Sequence, residues 1–105
     1  MYFERMMEEL ISQFDPKEVW IYGSCAKGDP RWDSDVDLMI VREQRQGVEH
    51  PTFEARLLVS HAKGPLPVDL MVVTPEDWEK ERTSPQGVFI DVVENGVRVY
   101  AWGHS

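Results

Sequence analysis

Gly23-Ser24 is followed after ten residues by Asp35 and Asp37, and Asp69 stands within a later apolar stretch. A glycine-serine turn and carboxylates are residue types that hold an anion beside a cation. Asp35 and Asp37 lead into an apolar run that reads as a strand over residues 36–41. Side chains two apart on a strand share a face, so the two acids stand side by side at its start, about 7 Å apart. They repel each other unless a cation lies between them. A Gly-Ser turn opening toward the same spot offers backbone N–H groups to an anion. The chemistry implied is a metal–nucleotide site. Asp69, between Val68 and Leu70, adds to it, because an acid inside an apolar strand is costly unless it is paired or binds a metal. With the two strands as neighbours, three carboxylates converge. Mg²⁺ favours oxygen ligands and accepts water and phosphate as the rest of its shell. Two such ions about 3.5–4 Å apart can clamp the attacking and leaving oxygens of an in-line phosphoryl displacement.

These residues need elements to position them. Phe3, Met6, Met7, Leu10, Ile11 and Phe14 recur at helical steps, which predicts an amphipathic helix over 2–14, closed by Asp15-Pro16. Residues 19–22, β-branched and aromatic, predict a first strand that ends at Gly23. Ser24 to Lys27 is expected to begin a short helix, and Asp29-Pro30 a turn. After the strand over 36–41, residues 42–49 read as a polar loop. Pro51, Phe53, Leu57, Leu58 and His61 predict a helix from 51 to about 63, and 66–73 a third strand with Val68, Leu70 and Val72 on one face. Thr74-Pro75-Glu76-Asp77 has the form of a helix start. Ser84-Pro85 is expected to start a further helix that runs to 93 or 94. Asn95-Gly96 ends it, and 97–101 alternates as a fourth strand on a sheet edge. The expected fold class is α/β (α+β), a small mixed sheet of about four strands flanked by helices.

Composition narrows the partners. A chain of 105 residues is expected to form one domain over 1–105. Its formal charge of −8 argues against gripping nucleic acid directly, or an anionic membrane surface, since both call for basic patches. The single cysteine, Cys25, leaves no internal disulfide and fits a reducing cytosol. The N-terminus is acidic and amphipathic, unlike a signal peptide, and no apolar run approaches the roughly 20 residues of a membrane span. A cytoplasmic location is the expectation. Trp20 reads as core, whereas Trp32 has a second reading as a stacking partner for an adenine. His50, His61 and His104 are scattered.

Gly-Ser, ten residues, Asp-x-Asp and a later isolated strand Asp together resemble the nucleotidyltransferases related to DNA polymerase β, and the length resembles the minimal members found in prokaryotes. The motif lies in 23–41 and at Asp69, and the general layout is compatible with the whole chain. The resemblance implies the nucleotidyltransferase fold and a magnesium-dependent transferase with two ions and ATP as substrate. Gly23 and Ser24 would contact the β- and γ-phosphates. Asp35 and Asp37 would ligate both metals. Asp69 would ligate the metal beside the incoming hydroxyl and help remove its proton. Such small domains are often paired with a helical HEPN-type toxin, so the resemblance implies an antitoxin that attaches AMP to a tyrosine hydroxyl of that partner. An antitoxin acting by contact alone, and nucleotidyl transfer to a small molecule or RNA with a partner subunit, are the alternatives. Relatives commonly carry a basic residue after Gly-Ser where this chain has Cys25. Phosphate affinity is then lower, or the charge comes from Lys27; Arg31 is a further cation in the same segment.

Overall fold

The computed structural model describes residues 2–23, 36–44, 50–64 and 67–102. Along the chain these form α1 (Tyr2–Phe14), β1 (Glu18–Tyr22), β2 (Val36–Val41), α2 (Pro51–Ala62), β3 (Val68–Val73), α3 (Pro75–Thr83), α4 (Val88–Asn95) and β4 (Val97–Ala101). The strands make one mixed sheet in the order β3-β2-β1-β4. β1 runs antiparallel to both β2 and β4. β3 is parallel to β2, as expected where a helix, here α2, carries the chain back across the sheet.

Each face of the sheet is covered by two helices. On one side Met6, Leu10 and Phe14 of α1 and Ala55, Val59 and Ala62 of α2 pack on Val19, Leu38, Ile40 and Leu70. On the other side Trp78 of α3 and Val92 of α4 close over Tyr22, Met39 and Val41. β2 therefore buries both of its faces and is apolar nearly throughout. Burying each of these large side chains contributes about 1.5–3 kcal/mol. The Trp20 and Trp78 rings meet edge to face with centroids 5.4 Å apart, so Trp20 belongs to the packing, as expected. Among the described residues, no helix is long and apolar enough to cross a membrane.

The elements depart from expectation in three places. The buried stripe of α2 is Ala55, Val59 and Ala62, while Phe53 and Leu57 are 62% and 50% exposed. Small side chains let this helix lie close to α1, and the larger ones are left to solvent. α4 begins at Val88 instead of at Ser84-Pro85, because Gly87 takes a left-handed φ of 59° and breaks the chain direction there. Arg42, expected in a polar loop, is only 3% exposed. Its guanidinium lies 3.9 Å from the centre of the Phe14 ring and pairs with Glu54 at 3.3 Å. The helix start at Thr74 is as expected: its Oγ1 accepts the Asp77 N–H at 3.1 Å.

Candidate functional site

Asp37 sits second on β2 and Asp69 second on β3, and the parallel register pairs them directly. Residues paired across neighbouring strands point to the same face. Here it is the face that carries Met39, Val41, Met71 and Val73 under α3 and α4. Two carboxylates thus project side by side from strands about 4.8 Å apart. Asp37 is half-buried and Asp69 is exposed. On its other side Asp37 pairs with Tyr22, the last residue of β1, which Gly23 follows.

Gly23 is the point at which the turn touches the acids. Its φ is 78°, a left-handed conformation that side chains disfavour, and a Cβ built there would collide with Oδ2 of Asp37. The glycine is what allows the Asp37 carboxylate to lie against the turn. The Gly23 N–H donates to Oδ2 of Asp91 on α4 at 3.0 Å, and Oδ1 of Asp91 accepts from Asn95 Nδ2 at 2.8 Å. The turn is therefore held between two carboxylates, one from the sheet and one from a helix.

The electrostatics agree with this crowding. The buried Tyr22 phenol is raised above its ordinary 10.0, first by burial and then by the charges of Asp37, Asp69 and Asp91. Asp69 has a cation at hand: Arg56 Nη2 reaches its Oδ1 at 3.1 Å, and the same oxygen accepts the Leu70 N–H at 3.0 Å. Both members of that ion pair are more than half exposed, which makes it a weak contact worth about 0–1 kcal/mol. A cavity of about 580 Å³ lies toward the opposite end of β3, lined by Val73, Asp77, Lys80 and Phe89 among others, and includes neither Asp37 nor Asp69.

The structure places Gly23, Asp37 and Asp69 together. Asp35 and Ser24, which the sequence assigns to the same site, lie outside the described residues, as do Cys25, Lys27, Arg31 and Trp32. Among the described residues no three His, Cys, Asp or Glu side chains gather as a metal cluster. The oxygen-only pair that is present nonetheless suits a hard divalent ion. Two residues of the site went unnoticed in the sequence. Asp91 carried a signal, a lone acid in the apolar run Val88–Val93, which pointed to an inward polar contact. Arg56 carried none beyond its place on the helix before β3.

Comparison with known proteins bears on the family and the fold. The family described as "Polymerase beta, Nucleotidyltransferase" matches residues 4–100. A crystal structure of a Sulfolobus solfataricus protein described as a nucleotidyltransferase superposes with a TM-score of 0.61 at 24% identity, covering 96% of this chain and 78% of that one. A toxin-antitoxin crystal structure with AMP-PNP superposes with a TM-score of 0.59 at 20% identity, covering 95% and 74%. At such identities the two structures speak for the fold alone. No curated protein matches the chain. With the family match spanning nearly its whole length, the chain belongs to the polymerase β-type nucleotidyltransferases.

Proposed function

We propose that this nucleotidyltransferase transfers AMP from ATP, with Mg²⁺, to a tyrosine hydroxyl of a HEPN-type helical toxin in the cytoplasm, and that it acts as the antitoxin. The observation that carries the reading is the register pairing of Asp37 and Asp69 beside the Gly23 turn. Asp35 of the Asp-x-Asp motif completes the proposed ligand set, and Ser24 joins Gly23 at the phosphates. Two divalent ions, when bound, would neutralise the triphosphate and lower the charge barrier to displacement. The chain itself supplies rigid placement: Asp37 and Asp69 are fixed by neighbouring strands and need little reorganisation.

In the transfer, the acceptor oxygen forms a bond to the α-phosphorus. The bond from that phosphorus to its bridging oxygen breaks, and pyrophosphate leaves with the electron pair. In this reading Asp69, the more exposed of the two acids, takes the proton of the acceptor hydroxyl. The partner as a protein is supported by apolar side chains left in solvent: Val88, Ile90 and Val93 on α4, and Val97 and Val99 on β4. A toxin-antitoxin complex among the structural neighbours supports the same kind of partner.

The test is intact-mass analysis of the co-expressed toxin partner after incubation with ATP and Mg²⁺. A gain of one or more AMP masses is expected with the wild type and none with Asp37→Asn or Asp69→Asn. An unmodified partner with the wild type sinks the catalytic reading. Neutralisation of the toxin by Asp37→Asn as well as by the wild type would point to an antitoxin acting by contact.

A further inference from the structure

We propose that Asp91, on α4, is a positioning residue of the nucleotide site, holding the Gly23 turn in place against Asp37 so that nucleotide affinity depends on it. The proposal rests on the reading of this site as a nucleotide site.

Asp91 is 68 residues away from Gly23 in sequence, yet its Oδ2 accepts the Gly23 N–H at 3.0 Å. Hydrogen bonds to a charged acceptor are shorter and stronger than neutral ones. The carboxylate is braced from behind, because Oδ1 accepts from Asn95 Nδ2 one helical turn further on. α4 is itself anchored by Val92, which is wholly buried in the cluster beneath it. The contact therefore ties a turn to a packed helix. On its other side Gly23 has no space for even a methyl group before it meets Asp37. Thus a turn moving toward Asp37 has to push its carboxylate aside, and Asp91 holds the turn from moving away.

An alternative use of the same contact is inhibitory. The Asp91 carboxylate would stand in for a phosphate and have to leave before a nucleotide enters. The brace from Asn95 favours the positioning role, since it holds the carboxylate in the orientation the turn requires. The two uses predict opposite signs.

The experiment compares wild type, Asp91→Asn and Asp91→Ala. Asparagine retains an oxygen acceptor for Gly23, and alanine does not. Amide hydrogen exchange followed by NMR on the nucleotide-free protein reads the contact directly. Gly23 should be protected in wild type and Asp91→Asn and exchange freely in Asp91→Ala, while Ile21 and Leu38 stay protected in all three, which shows that the sheet is intact. With Mg²⁺ and a fluorescent ATP analogue, Asp91→Ala should bind about tenfold more weakly, and Asp91→Asn should recover most of the loss. Equal protection of Gly23 in all three proteins overturns the proposal, as does unchanged or tighter binding by Asp91→Ala. A wild type that binds no nucleotide overturns the transferase reading, and the role of Asp91 in the site with it. That outcome is distinct from one in which the wild type binds and the variants match it.

Discussion

Replacing Gly23 by alanine tests whether the turn and the Asp37 carboxylate share one space. Two penalties are expected. The first is conformational: a side chain at φ 78° costs about 1–2 kcal/mol. The second is steric, since the new Cβ meets Oδ2 of Asp37 and must push that carboxylate aside, at about 0.5–1.5 kcal/mol for an off-rotamer side chain. Gly87 carries a backbone penalty alone. Its φ is 59° with ψ −132°, a conformation that favours glycine, and a Cβ there meets nothing within 4 Å. Gly87→Ala should therefore cost about 1–3 kcal/mol, and Gly23→Ala about 1.5–3.5 kcal/mol. For a chain of this size each kcal/mol lowers Tm by about 4–8 °C, so thermal melts read penalties of this size. A double-mutant cycle with Asp37→Ala sharpens the test. With the carboxylate removed, Gly23→Ala should fall to its conformational cost of about 1–2 kcal/mol, a coupling of at least about 0.5 kcal/mol. The displaced carboxylate should also weaken Mn²⁺ binding, measured by electron paramagnetic resonance, in Gly23→Ala and not in Gly87→Ala. Zero coupling in the cycle, with Mn²⁺ binding equal in the two glycine variants, would refute the reasoning.

Three further outcomes follow from the contacts around the site and the core. Arg56→Ala frees Asp69 from an exposed ion pair worth about 0–1 kcal/mol, so Mn²⁺ affinity should rise by up to about fivefold with little change in Tm; weaker binding would mean that Arg56 orients the acid for the metal. Glu54→Ala leaves the buried Arg42 guanidinium without its 3.3 Å carboxylate and should cost about 1–3 kcal/mol in urea denaturation, whereas a loss under about 0.5 kcal/mol would show that the Phe14 ring suffices. Tyr22 binds its proton more tightly folded than unfolded, so its contribution is complete below pH 10.0 and declines as pH rises from there toward the folded pKa. Tyr22→Phe should flatten the fall in stability above pH 10.0, and an unchanged slope would count against the burial and the acidic surroundings that raise that phenol.

How much of this was legible in the sequence depended on where the determining contact lay along the chain. α1 was legible because Met6, Leu10 and Phe14 fall on one helical stripe and all three are fully buried. β2 was legible from its apolar run and β3 from its alternation, and the parallel register then brought Asp37 and Asp69 together. The face of α2 was misread because bulk outweighed spacing. Ala55, Val59 and Ala62 have helical spacing too, but Phe53 and Leu57 drew the stripe toward themselves. Arg42 lies in the loop after β2, as expected, but its burial was not legible, because the Phe14 ring and Glu54 that enclose it lie in other elements. Asp91 shows the same limit within the site. Local pattern marks it as an odd acid in an apolar helix and cannot name Gly23 as the group it serves. The roles that escaped the sequence are those in which one side chain acts across the fold on the backbone or charge of another. Their signature is a polar residue whose local setting does not account for it. By that criterion Asp91 and Arg42 belong to one class, in which only the folded chain shows what each residue is for.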